Sequence, residues 1–153
     1  PHVTFVENAL AKARHAARLS GMPALADDSG LCVAALGGAP GVQSARYAGE
    51  PKSDTRNNEK LLATLANHDS RAAHFVSVIV FVRHADDPQP LIAEGEWHGE
   101  IITEHRGAGG FGYDPLFFVP EFGKTAAELD PAVKNGVSHR AQALQSLLAR
   151  LRR

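Results

Sequence analysis

ALADDSGLCVAALGGAPGVQSARY, residues 24–47, runs a short apolar segment straight into two adjacent carboxylates, Asp27 and Asp28, and then into Ser29 and Gly30. Pro23-Ala24-Leu25-Ala26 reads as the end of a buried strand. A strand that ends in Asp-Asp-Ser-Gly sets acidic side chains at the C-terminal edge of a sheet, where open α/β sheets keep their ligand crevices. Successive strand residues face opposite ways, so one carboxylate at most points into a given cleft, and Asp28, beside the Ser-Gly turn, is the candidate. Asp-Ser-Gly is equally ordinary turn chemistry, because Asp and Ser bond nearby backbone and Gly permits positive φ. The second half of the stretch favours a site: Gly37-Gly38-Ala39-Pro40-Gly41, then Ser44-Ala45-Arg46-Tyr47, is a long glycine-laden connection of the kind that concentrates at binding positions.

Working outward toward the N-terminus, Thr4-Phe5-Val6-Glu7 fits a capping box. It predicts a helix from about Phe5 to Ser20, stopped by Gly21 and Pro23. Val6, Ala9, Leu10, Ala13, Ala16 and Ala17 recur at three-and-four spacing and make an alanine-rich face suited to close packing on a sheet. Lys12 falls on the opposite face and is by default a solvated side chain. Toward the C-terminus, Ser53 to Asn67 reads as a second helix buried through Leu61, Leu62 and Leu65, with an unremarkable surface. His74 to Arg83 reads as a strand whose hairpin partner is Leu91 to Trp97, followed by short strands at Glu100 to Glu104 and Leu116 to Val119. Asp130-Pro131 starts a short helix that fails near Gly136, and Ser138 caps a last helix striped by Leu144, Leu147, Leu148 and Leu151. Alternating helices and strands plus a hairpin predict an α/β fold, a single domain over residues 1–153 with a twisted mixed sheet flanked by helices.

A chain of 153 residues suits one domain with a substantial core. Its 44% hydrophobic and 22% charged content is ordinary for a globular protein. A formal net charge of −1 argues against a nucleic-acid or acidic-membrane footprint, so any phosphate ligand must be met by local cations. Cys32 is the single cysteine, which rules out an intrachain disulfide and fits a reducing cytoplasm. The longest apolar run, Phe75 to Val82, is far shorter than the roughly 20 residues of a membrane helix.

The eight histidines show no zinc-type spacing. Asp27-Asp28 suits a hard ion such as Mg²⁺, which takes one or two protein carboxylates and fills its shell with water and phosphate. Ser29 lacks the Gly-X-Ser-X-Gly elbow of a serine hydrolase. The loop from Gly107 to Gly112 matches neither a Walker loop nor a dinucleotide fingerprint. Phe111 and Tyr113, lifted from that loop, can offer a ring face to a flat base, stacking worth about 1–3 kcal/mol. Core filling is the competing role for Phe111. Ser138-His139-Arg140 opens the last helix with donors for an anion or a carbonyl, or is simply a helix start with a solvated arginine.

ENALAKA (residues 7–13), ADDSGLCVAALGGAPGVQSARYAGE (26–50), GGFGYDPLFF (109–118), KTAAEL (124–129) and KNGVSHR (134–140), in that order, resemble the inosine/xanthosine triphosphate pyrophosphatases over essentially the whole chain. The resemblance implies a homodimeric, Mg²⁺-dependent enzyme that cleaves non-standard purine nucleoside triphosphates between the α and β phosphates. It implies that Asp28 acts at the metal and as base for the attacking water, and that Ser29 contacts substrate. It places Lys12 near the triphosphate, and Phe111, Gly112, Tyr113, Asp114, Lys134, His139 and Arg140 at the nucleoside. Lys134 and Arg140 would face the base's 6-carbonyl and Asp114 would accept from N1–H, a pattern that adenine opposes.

The resemblance also implies a first strand, a phosphate-holding Thr-Gly-Asn-X-X-Lys loop and an acidic metal ligand ahead of the Thr-Phe of the first helix, none of which is in this sequence. Two other readings remain open at this point. One is a nucleotide-binding dimerisation module without turnover; the other is a related pyrophosphatase with another base preference.

Overall fold

The computed structural model describes residues 2–152. Helix α1 (Phe5–Ser20) leads into β1 (Ala24–Val33), and two short 3₁₀ turns follow. Then come α2 (Asp54–Leu65), β2 (Ala72–Val82), β3 (Leu91–Ile101), β4 (Phe117–Val119), β5 (Lys124–Thr125), α3 (Pro131–Val137) and α4 (His139–Leu151). The strands form one sheet in chain order, β1-β2-β3-β4-β5. Every pairing among the described residues is antiparallel, where helix–strand alternation had predicted a mixed sheet. The reason lies in α2. Val33 at the end of β1 pairs with Ala73 at the start of β2, so the chain leaves and re-enters at the same end of the sheet. The α2 segment is a long hairpin connection and not the crossover that parallel strands require.

Two strand boundaries also differ from expectation. β1 continues through Asp27-Asp28-Ser29-Gly30 to Val33, so those residues are mid-strand and form neither a turn nor a C-terminal edge. The predicted strands at 91–97 and 100–104 are one strand ending at Ile101. At Gly99 within it, a Cβ would lie 2.5 Å from the Phe118 carbonyl oxygen, so a residue without a side chain lets β4 come close.

The helical ends follow their caps. The Thr4 hydroxyl accepts from the Glu7 N–H at 3.2 Å and donates to its carboxylate at 2.6 Å, and Gly21 closes α1 at φ +68°. On one face of the sheet, Ala9, Ala13 and Ala17 of α1 are buried against Val78, Val80 and Val82. The alternate residues of β2 and β3 face the other way, where Ile79 and Ala93 pack on Ala143 and Leu147 of α4. Full burial of a residue such as Leu147 contributes about 1.5–3 kcal/mol. At Gly95 a Cβ would fall 2.1 Å from the His139 carbonyl oxygen and 2.6 Å from the Ala143 nitrogen. Glycine there lets the first turn of α4 lie directly on β3, which brings His139 and Arg140 down to the sheet. A third cluster, around Leu31, Leu61, Leu65, Phe75, Trp97 and Phe117, joins α2 to the sheet. No helix among the described residues is long and apolar enough to cross a membrane.

Candidate active site

Because β1 is extended through the acidic pair, Asp27 and Asp28 project to opposite faces. Asp27 is exposed, whereas Asp28 lies on the α1 side, where Lys12 Nζ stands 3.7 Å from its Oδ1. Its other oxygen, Oδ2, is buried and has no hydrogen-bond partner. A buried carboxylate oxygen left unpaired is costly unless something meets it. Among the described residues, no three His, Cys, Asp or Glu side chains converge on one metal position. A hard cation here would therefore take Asp28 as its anchor and draw further oxygens from water and substrate, a donor set that Mg²⁺ accepts.

Ser29, the next residue, faces the α4 side and lines a cavity of about 790 Å³. Arg140 Nη2 donates to Ser29 Oγ at 3.3 Å, tying the first turn of α4 to β1. The same cavity is lined by Phe111, 62% exposed. Lys134 Nζ lies 5.2 Å and Arg140 Cζ 5.4 Å from its ring centroid, within reach of a cation–π contact. Phe111 is thus not core filling. Its ring is open to stack on a flat ligand whose edge the two cations would meet.

Lys134 is held by Asp114 at 2.6 Å, and the same Oδ2 accepts from the Phe111 N–H at 3.1 Å. Asp114 is buried. A Cβ on Gly110, at φ +70°, would lie 2.2 Å from that oxygen, so glycine is required on both counts. Asp114 Oδ2 therefore serves two donors of the protein, and the expected acceptance from a base N1–H would fall to Oδ1. Tyr113 departs from its expected place at the base. It is buried, its hydroxyl donates to the Ser44 carbonyl at 2.6 Å, and burial, with smaller repulsion from Tyr47 and Asp54, pushes its phenol well above the usual range. Of the two loop aromatics, Phe111 alone presents a free face.

His139 stacks on Phe75 with centroids 4.9 Å apart, and its Nδ1 is buried without a partner. Burial, then the cationic charges of Arg140 and Lys134, pull its pKa down to about 4, so the imidazole is neutral at pH 7. The site thus combines two fixed cations with a neutral ring at the mouth of α4.

Sequence reading passed over α2. Its Asn57 accepts from the Ala48 N–H and donates to the Ala45 carbonyl, while Asp54 and Asn58 both bond Gly112. Lys52, just ahead of α2, adds another cation to the cavity wall. The available signal was two consecutive asparagines inside a helix, where their side chains compete with the backbone and are disfavoured unless they have tertiary partners.

On this α/β scaffold an exposed ring bracketed by cations shares a cavity with Ser29, the strand neighbour of Asp28. The Ham1 family model matches residues 1–150, and the chain belongs to that family. It is 72% identical over 151 residues to the dITP/XTP pyrophosphatase of Aromatoleum aromaticum, covering 99% of this chain and 76% of that protein. It is 69% identical over 155 residues to the dITP/XTP pyrophosphatase of Ralstonia nicotianae, covering 99% and 77%. A solved HAM1 protein from Coxiella burnetii superposes with a TM-score of 0.96 at 54% identity, covering 99% of this chain and 78% of that one.

Proposed function

We infer that the chain hydrolyses non-standard purine nucleoside triphosphates, those of inosine, deoxyinosine and xanthosine, to the monophosphate and pyrophosphate. Residues 1–153 act as one domain in this reading. The observation that carries it is the open ring of Phe111 between Lys134 and Arg140, in a cavity that is also lined by Ser29, the strand neighbour of Asp28. Names borne by relatives at 72% and 69% identity support it.

The purine stacks on Phe111, and the cationic side chains of Lys134 and Arg140 meet the 6-carbonyl of hypoxanthine or xanthine. Adenine would put an amino group against those donors, and a mismatch of buried polar groups is rejected steeply. Asp114 serves by fixing Lys134. Ser29 positions Arg140, and His139 offers a neutral ring nitrogen beside the base. Lys12 meets the polyphosphate and Asp28 accepts the proton of the water that attacks the α phosphorus, as the bond to the bridging oxygen breaks and pyrophosphate leaves. Mg²⁺, held by Asp28, would supply neutralisation of the phosphate charge. A homodimer working in the cytoplasm completes the reading, and sedimentation velocity checks the dimer.

The test is selectivity. Arg140→Ala should lower kcat/KM for inosine triphosphate by far more than the small rate for adenosine triphosphate. A fall by the same factor for both would make Arg140 a structural or phosphate residue.

A further inference from the structure

We propose that Asp54 and Asn58 of α2 are positioning residues that set the place of the base-stacking ring by gripping both backbone polar groups of Gly112. Asp54 Oδ2 accepts from the Gly112 N–H at 3.0 Å, and Asn58 Nδ2 donates to the Gly112 carbonyl at 3.0 Å. Four residues apart on a helix, the two side chains share one face. The helix itself is immobilised, because Leu61 and Leu65 are fully buried in the main core. Asn58 is only 4% exposed, so its amide is fixed within the protein.

The grip matters because of what the ring lacks. Phe111 is largely in solvent, and Lys134 and Arg140 meet its ring only as cations 5.2 and 5.4 Å from the centroid. Its location is therefore set through the backbone. On one side Asp114 holds the Phe111 N–H and donates its own N–H to the Phe111 carbonyl at 3.1 Å. On the other, α2 holds Gly112, whose φ of +60° makes the sharp bend between Phe111 and Tyr113. Gly112 was expected to contact substrate. With its N–H and carbonyl both taken by α2, it is the point where the scaffold holds the loop. A pre-placed ring spares the ligand the cost of ordering it.

The proposal rests on the base-stacking reading above. The test compares Asp54→Ala, which loses the acceptor, with Asp54→Asn, which keeps one, in wild-type and Phe111→Ala backgrounds. Binding lost equally from ground and transition states raises KM and leaves kcat. Asp54→Ala is expected to raise KM for inosine triphosphate about fivefold, as loss of one hydrogen bond predicts, with kcat within twofold. Asp54→Asn should restore most of it. Amide exchange at Gly112 should quicken in Asp54→Ala and not in Asp54→Asn. In the Phe111→Ala background, Asp54→Ala should have no further effect on KM. Unchanged exchange at Gly112, or an equal KM rise in both backgrounds, overturns the proposal. A wild-type KM in Phe111→Ala alone sinks the base-stacking reading itself, and the proposal with it.

Discussion

Gly95→Ala isolates the contact that brings α4 to the sheet. The added Cβ would stand 2.1 Å from the His139 carbonyl oxygen, 2.6 Å from the Ala143 nitrogen and 2.8 Å from Gln142 Cβ. Two of these are backbone atoms, so no rotamer change relieves them. Normal non-bonded contact is about 3.5 Å, so the first turns of α4 must recede by roughly 1 Å. Ala143 and Leu147, fully or almost fully buried on Ile79 and Ala93, would lose packing as they move. Overpacking of this kind costs about 1–3 kcal/mol. For a chain of 153 residues that lowers Tm by roughly 2–12 °C. The same displacement lifts Arg140 off Ser29, whose contact is already 3.3 Å, and a misplacement of about 1 Å can cost as much as 10²-fold in rate. Gly136→Ala is the control. It makes the same chemical change inside α3, where a Cβ meets nothing within 4 Å, so helix propensity should stabilise by up to about 1 kcal/mol. Calorimetry and kcat/KM on both variants decide it. A Gly95→Ala protein with Tm within about 1 °C of wild type and undiminished kcat/KM would refute the packing argument.

The remaining expectations concern charge. His139 titrates near 6.5 when unfolded and near 4 when folded. Between those values the unfolded state binds the extra proton, so stability is full above pH 6.5 and declines as pH falls toward 4. His139→Phe, which keeps the stack on Phe75, should flatten that decline in urea unfolding followed at pH 7 and pH 5; an unchanged slope would exclude His139 as its source. Asp28→Asn should lower kcat by at least 10²-fold, the typical loss of a general base. Its Tm should stay near wild type, because Oδ2 has no protein partner to lose and the partly exposed pair with Lys12, at 3.7 Å, contributes only about 0–1 kcal/mol. Retention of more than about a tenth of kcat would remove Asp28 from the mechanism.

What the sequence revealed depended on the range of the interactions involved. Caps and stripes are local, so α1 appeared with its Thr4 cap and α4 with its Ser138 cap within a residue of their observed starts. Strand continuity is not local. Asp-Ser-Gly looks like a turn by composition, yet β2 pairs with β1 all the way through it, from Asp27↔Ile79 to Gly30↔Val76. The direction of pairing was hidden for the same reason, since only the Val33↔Ala73 contact shows that α2 returns to the end it left. At the site, residue type nominated Asp28 and Phe111 and offered Arg140 as a donor at a helix start, whereas Lys134 came from the family resemblance alone. Neither could show that Asp114 Oδ2 is shared between Lys134 and the Phe111 N–H, or that the Tyr113 hydroxyl is spent on Ser44. Those assignments depend on partners 20 and 69 residues away along the chain. Asp54, Asn57 and Asn58 were missed because a helix surface was judged by its polarity, with no view of the loops it supports.

The most direct test of the whole account is product analysis with Mg²⁺ and a panel of inosine, deoxyinosine, xanthosine, guanosine and adenosine triphosphates. The account predicts stoichiometric pyrophosphate and monophosphate from inosine, deoxyinosine and xanthosine triphosphates, much slower release from guanosine triphosphate, and slowest of all from adenosine triphosphate. Release of orthophosphate and a diphosphate, or equal rates for inosine and adenosine triphosphates, would contradict it.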